Sequence, residues 1–140
     1  IRFLFDLADD LPLVMTDPAG IRQVLNNLII NASDALGDKG GELKLRTRID
    51  PVKDNLLVLE LQDNGPGFPA ELLDRIFEPY VTTKTSGSGL GLPISRRIIE
   101  ENSGTMRAAN LPKGGAVVII QLPVTPSQGT SIDERQGKRE

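Results

Sequence analysis

Three groups of residues have types and spacings that chemistry could use. The first lies in residues 18–36, where apolar side chains at 21, 24, 25, 28, 32, 35 and 36 recur at helical spacing. At about 100° per residue, Asn27, Asn31 and Asp34 fall within about 60° of one another, beside the apolar stripe rather than opposite it. A pocket wall would sit there. An asparagine oxygen is a neutral, hard ligand, suited to a Mg2+ ion that already rides on phosphates and keeps several of its own waters. Taken alone, the stripe also fits a solvated helix face.

The second group is DNGPGF, residues 63–68, directly after the apolar run 56–62. A carboxylate at the end of a buried strand can accept a hydrogen bond from an exocyclic amine, and Gly65 and Gly67 leave room for a flat ring beside it. The same composition is also that of an ordinary turn. The third group is FEPYVTTKTSGSGLGLP, residues 77–93. Gly87, Gly89 and Gly91 expose backbone N–H groups at alternate positions, and a helix starting near Leu92 or Pro93 turns the positive end of its dipole toward them. Thr82, Thr83, Ser86 and Ser88 add hydroxyls, and Lys84 adds a local positive charge. This is an anion site made from backbone. A flexible linker is the alternative, disfavoured by the strongly patterned segments on both sides.

The elements that must position these groups follow from pattern. Ile1–Leu7 and Leu11–Met15 are β-prone and predict two short strands or a hairpin. TDPAG announces a helix: Asp17 can cap it, Pro18 fits its first turn, and Gly37 ends it. ELKLRTRI (42–49) alternates like a half-buried strand and LLVLELQ (56–62) reads as its buried neighbour across a turn at DPVKDN. A short helical stretch near Glu71 to Phe77, a long loop over 78–91, a helix in PISRRIIEEN and two strands, TMRAAN and GAVVIIQLP, complete the chain. The order predicts a layered α/β sandwich with helices on one face of a mixed or antiparallel sheet.

Composition narrows the classes. The 140 residues, 39% hydrophobic and 25% charged, suit one soluble domain, expected over residues 1–124. Residues 125–140 are poor in apolar side chains and are expected to be a disordered tail or linker. A net charge of −3 offers no broad positive field for nucleic acid. Without cysteine there is neither disulfide nor thiolate metal site, and without histidine no imidazole can act as base, ligand or phosphoacceptor. Neither a P-loop nor the dinucleotide G-x-G-x-x-G pattern is present.

Taken together, the segments resemble the catalytic, ATP-binding domain of bacterial sensor histidine kinases. NNLIINASDAL is similar to the N box of that family, DNGPGF to its G1 box, RIFEPYVTTK to its F box, GSGLGL to its G2 box and GGAVVIIQLP to its closing strand. The likeness covers roughly residues 10–124, and FEPYVTTKTSGSGLGLPISRRIIEENSG resembles the nitrogen-regulation branch. It implies the Bergerat fold shared with gyrase, Hsp90 and MutL: a two-layer sandwich whose mixed, mostly antiparallel sheet of about five strands carries helices on one face. ATP and Mg2+ are the implied ligands. By position, Asn31 would hold the metal and Asn27 would reach the phosphates, with Asp34 and Ala35 on the same helix near the nucleotide. Asp63 would receive the adenine amine, with Gly65, Gly67, Phe68 and Ala116 around the ring. Thr83, Lys84, Gly87, Ser88, Gly89, Leu90, Gly91 and Leu92 would line a lid, Lys84 near the outer phosphates; Asn27, Asn31 and Lys84 would be the catalytic set.

Two positions depart from the family pattern: Asp34 stands where many members carry a basic residue, and Ala116 where threonine is frequent. At the position of Asn27 the ATP-hydrolysing relatives typically carry glutamate, and an asparagine cannot take a proton at neutral pH, so slow hydrolysis and transfer chemistry are expected. The acceptor histidine would lie on a separate dimerisation domain, with a response regulator downstream. The parent kinase would be a homodimer, cytoplasmic or anchored to a membrane with this part in the cytoplasm, and this fragment a soluble monomer. A hydrolysing ATPase of the same superfamily and a nucleotide-sensing module without phosphoryl transfer are the alternatives.

Overall fold

The computed structural model describes residues 1–53, 55–82 and 89–124. The elements run β1 (Arg2–Asp6), α1 (Pro18–Leu36), β2 (Glu42–Ile49), β3 (Leu56–Asp63), α2 (Gly91–Glu101), β4 (Thr105–Asn110) and β5 (Ala116–Pro123), with single 3-10 turns at Gly37–Lys39 and Leu73–Arg75. The five strands form one sheet in the order β1-β2-β3-β5-β4. Only the β1–β2 pair is parallel; the other three are antiparallel.

Helix α1 starts and stops where local chemistry dictates. The Asp17 carboxylate accepts the Ala19 N–H at 3.1 Å, Pro18 occupies the first turn, and the Gly37 N–H returns to the Ser33 carbonyl. Its buried residues Val24, Leu28, Ala32 and Leu36 meet Leu43 of β2, Leu61 of β3, Met106 of β4 and Val118, Ile120 and Leu122 of β5, with Ile99 of α2 beside them. Register explains the one-sidedness. Leu43 stands opposite Asp63, Leu61 opposite Val118 and Met106 opposite Ile120, and facing partners share a face of the sheet. The face turned away from the helices is closed by polar side chains, with Glu60 accepting from Arg48 at 3.0 Å and from Gln62 at 3.1 Å.

The expected opening hairpin does not form. Ile1–Leu7 supplies β1, but Leu11–Met15 is no strand, and β1 pairs in parallel with β2, Phe3 opposite Leu43 and Phe5 opposite Leu45. A parallel pair needs a long crossover, which the segment holding α1 supplies. Residues 11–15 instead run along the surface, Leu13 82% and Met15 80% exposed, while Val14 packs on the core. Pro12, which lacks an N–H for a ladder, fits that course. The second helix also begins slightly earlier than expected, at Gly91 with Leu90 as its cap.

Candidate nucleotide site

Asp63 is the last residue of β3, on the helix-covered face. Its Oδ1 accepts the Gly65 N–H at 2.9 Å and lies 3.4 Å from the Ala116 N–H. Oδ1 thus faces two backbone N–H groups, and no hydrogen bond to Oδ2 is made among the described residues. Gly115 makes this closeness possible: at its φ of +96°, an added Cβ would lie 2.0 Å from the Asp63 carbonyl oxygen. The loop after Asp63 is held from across the sheet. Asn110, the last residue of β4, accepts the Phe68 N–H at 2.7 Å and donates to the Phe68 carbonyl at 2.9 Å, imitating one rung of strand pairing.

Two cavities open beside these groups. A small one, about 40 Å³, has Asp63, Ala116 and Val118 on the sheet side and Leu28 and Asn31 on α1. A larger one, about 520 Å³, reaches from Asn31 and Asp34 past Pro66 and Leu72 to Thr82 and Leu92. Asn31, Ala35, Gly67 and Phe68 belong to both, so they mark where one space passes into the other. An apolar floor with one directed carboxylate suits a flat heteroaromatic ring bearing an amine. The wider space has the polar groups of Asn31, Asp34 and Thr82 along its wall.

Eight of the expected site residues therefore come together: Asn31, Asp34, Ala35, Gly67, Phe68 and Leu92 around the larger cavity, and Asp63 with Ala116 added at the smaller. Others stand apart from both. Asn27 lies one turn before Asn31 and donates its amide to Ser95 Oγ at 3.2 Å. Gly65 serves the turn that holds Asp63. Gly89 accepts the Tyr80 N–H at 3.0 Å, and both residues have positive φ, 74° and 68°. Leu90 and Gly91 open α2. Thr83, Lys84, Gly87 and Ser88 lie outside the described residues, as does the tail 125–140. The F-box segment is tied to α2 by Arg96, whose guanidinium carbon sits 4.4 Å from the Phe77 ring centroid.

Residues 16–126 match the family model described as histidine kinase-, DNA gyrase B-, and HSP90-like ATPase. The chain belongs to this family. Among curated proteins, this ATPase domain is 36% identical over 132 residues to the signal transduction histidine-protein kinase AtoS of Escherichia coli K12, covering 94% of the chain and 21% of AtoS. It is 37% identical over 131 residues to the sensory histidine kinase/phosphatase NtrB of Klebsiella oxytoca, covering 89% of the chain and 37% of NtrB. The chain thus spans between a fifth and two fifths of the length of these relatives. Among solved structures, a nucleotide-free form of the catalytic domain of histidine kinase ThkA superposes with a TM-score of 0.76 at 36% identity, covering 91% of this chain and 81% of that one. Full-length ShkA in complex with AMPPNP superposes with a TM-score of 0.74 at 26% identity, covering 89% of this chain and 26% of that one.

The expected fold is borne out: a five-stranded mixed sheet with helices on one side, as in histidine kinase catalytic domains. So is the likeness to the nitrogen-regulation kinases, NtrB being among the relatives. Among the described residues no helix is long and apolar enough to cross a membrane. Sequence patterns did not point to Asn110 or Ser95, whose roles depend on partners 42 and 68 residues away. Gly115 carried a weak signal, the paired glycines before β5.

Proposed function

We propose that this domain binds Mg·ATP and presents its γ-phosphoryl group to a histidine on a separate dimerisation domain. The observation that supports this best is Asp63, whose Oδ1 is pinned by backbone N–H groups and whose side chain lines a cavity together with Asn31. Adenine carries its amine as a donor, and a carboxylate oxygen is an acceptor only, so the pair match in polarity. The space a Cβ would fill at Gly67, 2.8 Å from Asn110 Oδ1, fits a site whose wall must stay thin.

Asn31 is the residue suited to the metal. Among the described residues no three carboxylate, histidine or cysteine side chains cluster to hold a cation, so the remaining ligands would come from phosphates and water. Mg2+, when bound, offsets phosphate charge. The chain's own part is to hold the base at Asp63, keep water from the apolar floor formed by Leu28 and Val118, and orient the phosphates through Asn27, Asn31 and Lys84. Asn27 offers no base to activate water, and with no histidine in the chain the acceptor must come from elsewhere. The working unit on this reading is residues 1–124, a monomer that acts in the cytoplasm as part of a homodimeric kinase serving a response regulator.

Incubation of the chain with γ-labelled ATP and Mg2+ is expected to give saturable binding, no stable label on the chain, and phosphate release near background. Adding a histidine-bearing dimerisation domain from the parent kinase should give an acid-labile label on that domain. Multiple turnovers of phosphate release would favour the hydrolysing ATPase instead, and binding without any transfer would favour a nucleotide-sensing module.

A further inference from the structure

We infer that Ser95 is a positioning residue for the phosphate end of the site: its buried hydroxyl fixes the side-chain amide of Asn27. The inference rests on the Mg·ATP reading above. Ser95 is wholly buried, and among the described residues it and Glu60 are the two buried polar side chains. Glu60 is satisfied by an arginine and a glutamine. Ser95 is satisfied by Asn27, whose Nδ2 donates to Ser95 Oγ at 3.2 Å.

Position in the fold makes this contact more than packing. Asn27 precedes Asn31 by one turn of α1, and Ser95 follows the first residue of α2 by one turn. The bond therefore joins the helix that carries the metal asparagine to the helix that opens directly after the glycine-rich segment. A burial site between two helices ordinarily takes an apolar side chain, since a hydroxyl there gains nothing unless it is hydrogen-bonded. What the hydroxyl supplies is an anchor: with Nδ2 giving one N–H to Ser95, its second N–H is held in place for a ligand. An asparagine amide has a donor end and an acceptor end of nearly equal shape, and a phosphate oxygen tolerates only the donor. Holding Nδ2 against Ser95 removes the freedom of the amide to swing about its last torsion.

The helix pair is also fastened elsewhere, so the two functions can be separated. At the far end of α2, Asn102 Oδ1 accepts the Asp17 N–H at 3.0 Å, and Asn102 Nδ2 donates to the Ile98 carbonyl at 2.8 Å. Removing the Ser95 hydroxyl leaves this second fastening in place. The α1–α2 packing should persist while the Asn27 amide loses its restraint.

The test has two parts. In the nucleotide-free chain, side-chain amide relaxation by NMR should show Asn27 ordered and the exposed Asn26 mobile, and Ser95→Ala should make Asn27 as mobile as Asn26. A mobile Asn27 amide in the unmodified chain overturns the inference without any variant. In titrations, Ser95→Ala should weaken Mg·ATP about tenfold, the size of one hydrogen bond to a charged group, and leave adenosine unchanged. In an Asn27→Ala background the same substitution should have no further effect. Equal weakening of adenosine and Mg·ATP, or an undiminished effect in the Asn27→Ala background, overturns it. If the unmodified chain orders Asn27 as expected yet binds neither ligand, the Mg·ATP reading itself fails and the role of Ser95 in it falls too.

Discussion

Replacing Asp63 by asparagine should separate its proposed recognition of the base from the fold around it. In the native site Oδ1 faces the N–H groups of Gly65 at 2.9 Å and Ala116 at 3.4 Å. Asparagine retains an oxygen for that place, so the turn into Gly65 and the start of β5 keep their acceptor. The change falls on the other atom, where an acceptor-only oxygen becomes an NH2 donor. The adenine amine then meets a donor. A hydrogen bond to a charged group contributes about 1.5–3 kcal/mol, which corresponds to roughly 10- to 150-fold in Kd. Hypoxanthine carries an oxygen where adenine carries its amine, so ITP should gain on ATP in the variant. Calorimetric titration of both nucleotides against both proteins is the assay, with thermal melts as the control. Weakening the charge on Oδ1 should cost about 1 kcal/mol, or about 3–6 °C in Tm for a domain of this size. Unchanged ATP affinity in a folded Asp63→Asn protein, or an equal loss for ATP and ITP, would refute the assignment of Asp63 to the base.

Two further perturbations test the frame. At Gly115 a Cβ would sit 2.0 Å from the Asp63 carbonyl oxygen, and φ is +96°, whereas at Gly114, with φ +101°, it meets nothing within 4 Å. Urea denaturation should therefore show Gly115→Ala losing about 3 kcal/mol or more and Gly114→Ala only about 1–2; equal losses would mean that the β3–β5 junction is not as close as described. At the β2–β3 turn, the N–H groups of Lys53 and Val52 donate to Asp50 Oδ1 at 2.9 and 2.8 Å and hold its carboxyl below the ordinary value of 3.8. A lowered folded-state pKa stabilises the protein above the unfolded value, and that contribution is lost as pH falls through the lowered one. The Tm advantage over Asp50→Asn should thus be constant at neutral pH and shrink below about pH 4; an advantage that grows on acidification would contradict the contact.

What could be read from sequence divides by the reach of the interactions. Helix α1 was legible because its cap, its proline and its stopping glycine lie within one turn of each end, and the β2–β3 hairpin because an alternating strand and a largely apolar one flank a short turn. Residues 11–15 misled because their apolar side chains are β-prone, while the pairing of β1 is decided by β2, some 40 residues along the chain. The same limit applies in the site. Asp63 stood out at the end of an apolar run followed by glycines. Asn110 read only as the end of the strand TMRAAN, because its clamp on Phe68 exists only once β4 has been laid beside β5. Ser95 looked like one polar residue in an amphipathic helix, and only the crossing of α1 and α2 reveals that it points inward.

The sheet topology also gives the two ends of the site different mechanical characters. Because β3 is antiparallel to β5, and β5 to β4, the end of β3, the start of β5 and the end of β4 meet at one edge of the sheet. Each contributes a hydrogen-bonding group there: the Asp63 carboxylate, the Ala116 N–H and the Asn110 amide. The proposed base end is therefore built from strand termini that cannot shift without breaking ladder bonds. The proposed phosphate end belongs to helices, where Asn31 rides on α1 and α2 is linked to it near the site through the Asn27–Ser95 bond. Helices slide over a sheet at less cost than strands change register, since no backbone hydrogen bonds are exchanged. For a domain proposed to hold its nucleotide by the base and deliver the far end to another domain, stiffness belongs at Asp63 and adjustability at α2. The distribution of hydrogen bonds places them in that order.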